Sequence, residues 1–222
     1  LTSLASFAGW QSGGTLLILG DIITNPHGLK PSGVAYQQGR DMTPLGYLSG
    51  MLDQPQQTVY DTNPTYIDSN GRPVGNWIYI FAVGGPLANA VTHYYETTST
   101  AAERAPLTFS SSGGNFIWTD KNGVVVETIS QSSNAIPPGT SDVFVIQTVK
   151  DADSRLVALI YGCRYMGTWA AAVYFKFVVY PDIANWRQGY YIVSWTDATS
   201  GQYADGTPDI GDAFTIIAQG TP

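Results

Sequence analysis

The stretch Asn76 to Thr97, NWIYIFAVGGPLANAVTHYYET, decides how the rest of the chain is read. An apolar run from Trp77 to Val83 breaks at Gly84-Gly85-Pro86, and a segment with helical spacing continues to Tyr95. The length of the first run and the glycines that close it mark a buried strand. Pro86 suits the first position of a helix, with Ala88, Val91 and Tyr95 on one face and Leu87, Ala90 and Tyr94 alongside. A second unit of the same design lies at Leu156 to Tyr180: LVALIY, a break at Gly162 to Gly167, then TWAAAVYFKFVVY, stopped by Pro181. Two strand–glycine turn–helix units predict an α/β protein with a mixed sheet and helices packed on it. VYFKFVVY also has strand propensity, so a mainly β sandwich is the alternative.

Outward from these units, Thr15 to Leu19 reads as a buried strand and Thr58 to Ile67 as a weak one, through TVY or TYI. Asp68-Ser69-Asn70-Gly71 is a turn, with Asn70-Gly71 fitting type I′ geometry. Asn115 to Asp120 and Val124 to Ile129 flank Asp120-Lys121-Asn122-Gly123 as a hairpin, and Pro137-Pro138-Gly139 ends that segment. Asp142 to Lys150 and Arg155 to Tyr161 form a second hairpin around Asp151-Ala152-Asp153-Ser154. Tyr190 to Trp195 and Ala213 to Ala218 close the chain as strands. Leu1 to Phe7 is a short helix or loose terminus, and Ile22 to Gln57 a long irregular excursion with one helical turn near Pro44 to Leu52. The 222 residues read as one α/β domain, loosely subdivided near 98–112, where Thr97 to Ala105 forms a polar hinge.

Composition narrows the function classes. Charged residues are 12% of the chain, against roughly 25% in ordinary soluble domains. Four lysines and three glutamates stand against fourteen aspartates, so Ser, Thr, Asn, Gln, Gly and Tyr must cover the surface. This favours a secreted or surface-exposed protein over a cytosolic enzyme. A net charge of −7 repels nucleic-acid phosphates and anionic headgroups. No apolar run reaches the roughly 18–20 residues that span a bilayer. The single cysteine, Cys163, excludes an internal disulfide. The chain opens with Leu, so a leader has been removed or the chain is a piece of something longer.

Candidate chemistry is sparse. Gly84-Gly85-Pro86 sits where backbone amides can hold an anion, but it has no P-loop Lys or Ser/Thr, and Pro86 removes an amide. A packing turn, with Asn89 as a satisfied polar contact, is the plainer reading. His27 and His93 are the only histidines, and no Gly-x-Ser-x-Gly elbow accompanies them. Cys163 beside Arg164 reads as a reactive thiol or, more plainly, a buried structural one. The richest oxygen cluster is the loop holding Asp197, Asp205, Asp209 and Asp212, the hard ligands that calcium requires. Its spacing is not that of an EF-hand, and Asp-Gly is also turn chemistry; Asp68, Asp120, Asp151 and Asp153 share that ambiguity. Trp10, Trp118, Trp186 and Trp195 would serve a carbohydrate-binding module or glycoside-acting enzyme as stacking platforms. Asn63-Pro64-Thr65 is no glycosylation site, because of its proline.

IYIFAVGGPLANAVTHYY resembles the strand–turn–helix segment of archaeal surface-layer (S-layer) proteins, with their Val-Gly-Gly-Pro-x-x-Asn stretch. Gly167-Thr168-Trp169-Ala170-Ala171 and the Trp195-Thr196-Asp197 turn are similar in style, so the likeness extends over about half the chain, from Asn76 onward. The resemblance implies a non-enzymatic, extracellular cell-surface subunit that assembles with copies of itself as a lattice or filament, with calcium as its ion and no catalytic residues. Extended edge strands and the Ile22 to Gln57 segment are the expected contact surfaces.

Overall fold

A computed structural model describes residues 14–20, 42–51, 56–131 and 140–221. Leu1 to Phe7, Trp10, His27, most of the Ile22 to Gln57 excursion and Pro137-Pro138-Gly139 lie outside the described residues. Among the described residues ten strands form two sheets. The strands of the larger sheet are β1 (Thr15–Leu19), β2 (Gln56–Tyr60), β3 (Tyr79–Val83), β7 (Ser141–Lys150), β8 (Leu156–Gly162), β9 (Tyr190–Thr196) and β10 (Ala213–Gly220). The smaller sheet contains β4 (Leu107–Ser112), β5 (Asn115–Asp120) and β6 (Val125–Ser130).

The larger sheet runs in the order β10-β9-β7-β8-β3-β1-β2. Its β2, β1, β3 and β8 are parallel neighbours, whereas β8, β7, β9 and β10 pair antiparallel. The sheet is therefore mixed. Both faces of its centre are covered, which is why TLLIL and YIFAV read as unbroken apolar runs and are buried at every position.

One face carries helix α1 (Met42–Ser49) and helix α3 (Tyr165–Tyr174) over Leu17, Leu19, Phe81, Ile146 and Ile160. The opposite face packs Leu16, Ile18, Ile80, Ala82 and Leu159 against the smaller sheet and helix α2 (Ala90–His93). Trp118 of β5 and Leu107 of β4 are wholly buried in this second core, so the smaller sheet shares it with the larger.

Both strand–turn–helix units exist, with different helix starts from those expected. Pro86 is not at a helix start: Gly85 to Ala88 form a turn closed by the Ala88 amide on the Gly85 carbonyl. Asn89 caps a single α turn, which widens into a π turn over Tyr94–Thr98. In the second unit α3 begins at Tyr165, so Gly167 lies inside the helix rather than in the break. Gly167 must stay bare because a Cβ there would stand 2.8 Å from Asp142 Oδ2 and Val143 O. TWAAAVYFKFVVY is helical, because burial against two strands overrides its strand propensity. A π turn (Phe175–Val179) and a 3-10 turn (Tyr180–Asp182) finish it, with Pro181 in the latter.

Two further expectations are corrected. TVY belongs to β2, but Thr65-Tyr66-Ile67 is turn, with one bridge from Ile67 to Pro73. The Thr97 to Ala105 segment is no polar hinge: Ser99, Glu103 and Ala105 are all buried there.

Candidate functional site

The carboxyl ends of β1 and β3 are where an open α/β sheet offers a ligand crevice, because the helices after them leave to opposite faces. Here α1 follows β1 onto one face and α2 follows β3 onto the other. Asn89 fills the gap. Its Nδ2 donates to Ile18 O of β1 at 3.2 Å and to Val83 O of β3 at 3.0 Å. Its Oδ1 accepts from the Val91 and Thr92 amides. The Ala90 amide donates to Asp61 Oδ2 at 2.7 Å. The amides an anion would need are thus taken by Asn89 and Asp61, and a Cβ on Gly20 would collide with the Ala88 carbonyl. The Gly-Gly-Pro turn is a packing corner.

Glu96 is a buried group that sequence reasoning passed over. The π turn after α2 points its carboxyl into the core between the two sheets, with no solvent exposure. Oε1 accepts from Tyr161 Oη at 2.6 Å and from Gln147 Nε2 at 2.6 Å, and Oε2 accepts from the Phe109 amide at 2.9 Å. Gln147 Oε1 in turn accepts from the Leu107 amide. The node ties β4 to β7 and β8. Three converging donors suit a carboxylate, yet burial outweighs them and pushes the Glu96 carboxyl up to about 8. The sequence signal was one acid inside an apolar helical run, in a chain with only three glutamates.

The aspartate excess has a local cause. Asp68, Asp120 and Asp151 open three turns of identical build. In each, Oδ1 accepts from the amides two and four residues on: Asn70 and Arg72, Asn122 and Val124, Asp153 and Arg155. The carbonyl accepts from the residue three on, which has positive φ: Gly71, Gly123 and Ser154. Asn70 does not, so the first turn is not type I′. Glutamate is one methylene too long for this local bond, and these aspartates are turn residues.

Asp197, Asp205, Asp209 and Asp212 do share one loop, and its amides occupy them. Asp212 takes Trp195 Nε1 at 2.7 Å and the Asp209 amide at 2.9 Å on Oδ2, and the Ala198 amide at 3.0 Å on Oδ1. Asp205 accepts from Thr207, Asp209 from the Gly211 amide and Asp197 from the Gly206 amide. Partial burial raises the Asp209 carboxyl, and the negative charge of Asp212, Asp205 and Asp197 adds to the rise. Asp197 Oδ1 is buried without a partner. Among the described residues no three Asp, Glu, His or Cys side chains converge on one ion position.

The remaining candidates are structural. Burial, first, and then the Asp142 charge push the Cys163 thiol up, away from the reactive thiolate. Trp118 and Trp195 are wholly buried, which removes them as stacking platforms, and the half-buried Trp186 packs edge-on against Tyr174 and Tyr191.

Among the described residues, one edge of the larger sheet is left open at β10. β10 is the outermost strand next to β9, and its eight residues AFTIIAQG contain no charge and no proline. Ile216 and Ile217 are 39% and 37% exposed, and the register shifts between Ile216 and Ala218. No helix among the described residues is long and apolar enough to cross a membrane. The chain matches no known family model and no curated protein sequence.

Proposed function

We propose that this chain is a non-enzymatic, extracellular structural subunit that assembles with copies of itself at a cell surface, as a lattice or filament. The β10 edge carries the reading. Native sheets protect such edges with lysine, proline, strong twist or cover, because unpaired amides and carbonyls recruit another strand. Among the described residues β10 has one such device, the bulge at Ile217, and residues 213–216 before it offer an uncharged ladder. On a chain of net charge −7, an uncharged edge is where two copies approach with least repulsion. The resemblance of VGGPLAN to surface-layer segments adds support, and so does a core whose buried acids are all hydrogen-bonded within the fold.

Sedimentation and negative-stain microscopy over a range of concentrations, with and without calcium, test the proposal. Concentration-dependent association that Ile216→Lys blocks is the expected result. Calcium would strengthen it by recruiting carboxylates from more than one copy, since one loop does not supply a ligand set. A strictly monomeric chain in both conditions sinks the proposal.

A further inference from the structure

At the opposite end of the parallel strands, just before β3 and β8, lies a cleft of about 370 Å³ lined by Gly75, Asn76, Trp77, Asp153 and Arg155. Its base is rigid. Arg155 is only 3% exposed; its Nε donates to Asp151 Oδ2 at 2.7 Å and its Nη1 to Pro73 O at 2.7 Å. Tyr95 Oη donates to the same Asp151 oxygen at 2.8 Å. The Trp77 indole is pinned by its own N–H on Val74 O at 3.0 Å and by Tyr66, whose ring centroid is 5.9 Å away.

Several polar atoms here remain unsaturated among the described residues. Arg155 Nη2 is ion-paired with Asp153 Oδ2 at 3.2 Å and is itself shielded from solvent, so the guanidinium braces the cleft and lends it positive charge. Asp153 Oδ2 is held by Arg72 Nη2 at 2.8 Å, which fixes the carboxylate and leaves Oδ1 unpaired on a half-exposed side chain. Asn76 is exposed, and its side-chain amide makes no hydrogen bond among the described residues. A fixed indole, a free acceptor and an amide that both donates and accepts therefore share one wall.

We propose that this cleft binds a neutral, polyhydroxylated ligand: a sugar ring. Each hydroxyl both donates and accepts, matching a wall that offers both, and a pyranose C–H face suits an indole. Charge argues against the ionic alternatives. Asp151, Asp153 and Glu103 outnumber Arg72 and Arg155, so an anion meets net negative charge, while a cation meets the Arg155 guanidinium. The volume accommodates a monosaccharide with ordered water. This site is independent of the β10 edge and of self-assembly.

The test is a titration of the full chain, isotopically labelled with ¹⁵N, with the methyl glycosides of mannose, glucose, galactose and N-acetylglucosamine. Acetate and inorganic phosphate serve as controls. The Trp77 indole N–H and the Asn76 side-chain amide should shift saturably with at least one sugar, at the roughly millimolar affinity typical of a shallow polar site. Asn76→Ala removes an exposed side chain without internal bonds, so it should fold normally and bind about threefold or more weakly, the loss of one hydrogen bond. Trp77→Ala, if it folds, should abolish the shifts. No saturable shift with any of the four sugars overturns the proposal. So does a response to acetate or phosphate alone, or an Asn76→Ala variant that binds as the wild type does.

Discussion

Tyr161 Oη on β8 donates a 2.6 Å hydrogen bond to Glu96 Oε1 on the π turn after α2, and neither side chain is more than 1% exposed. With the Phe109 amide of β4 on Glu96 Oε2, that bond clamps the smaller sheet to the larger one. Its acid is wholly buried, and burial raises its carboxyl. Tyr161 itself stays neutral, because burial and then the Glu96 charge push its phenol up.

Stability should therefore depend on pH through Glu96. Its folded carboxyl is raised to about 8 from an ordinary 4.5. The folded chain holds this proton more tightly than the unfolded chain, so the contribution is complete below about 4.5 and is lost as pH rises through about 8. The unfolding free energy from urea titrations, wild type minus Glu96→Gln, should fall between about pH 5 and pH 8, by at most about 1.4 kcal/mol per pH unit. A difference that stays flat over this range would show that Glu96 does not titrate there.

The three matching aspartate turns predict unequal losses. Asp151→Ala strips the turn bonds and also removes the buried partner of Arg155 Nε, leaving the guanidinium only Asp153 and Pro73 O, a loss of about 3 kcal/mol. Asp68→Ala and Asp120→Ala remove turn bonds at half-buried sites that hold no buried arginine, and both should cost clearly less. Chemical denaturation of the three variants ranks them, and equal losses would mean that the buried ion pair contributes nothing.

Asn89→Ala should cost about 3 kcal/mol or more, since it removes a cap and strands two buried carbonyls. Asn89→Asp should not rescue it: the carboxylate keeps the cap but faces Ile18 O and Val83 O with no proton to donate. Thermal melts of both variants decide this, and recovery by aspartate would show that only the cap matters.

Two glycines in helices predict opposite signs. Gly167→Ala in α3 forces a methyl against Asp142 and Val143 and should destabilise by about 1–3 kcal/mol. Gly46→Ala in α1 meets nothing within 4 Å and should stabilise by about 0.5–1 kcal/mol. Melting temperatures moving in the same direction would contradict the packing of one helix or the other.

Much of the fold was legible in local pattern. TLLIL, YIFAV and LVALIY show as strands because a sheet covered on both faces leaves no polar alternation to blur them. The hairpins were legible from Asp-x-Asn-Gly and Asp-Ala-Asp-Ser, where side chain and turn are neighbours in sequence. The start of α2 was misplaced because Pro86 is a strong local signal, and the competing one, Asn89 reaching back to Ile18, spans 71 residues. Glu96 and the Trp77 cleft were invisible for the same reason: their partners lie on strands far apart along the chain.

The sequence by itself determined strand identity, turn positions and the shortage of surface charge, since each is set by neighbours within a few residues. Only the tertiary structure decided that the Gly-Gly-Pro corner is plugged by Asn89, that two tryptophans are core, and that β10 stands at an edge. Those depend on strand order, which long-range packing of two apolar faces selects and no short stretch encodes.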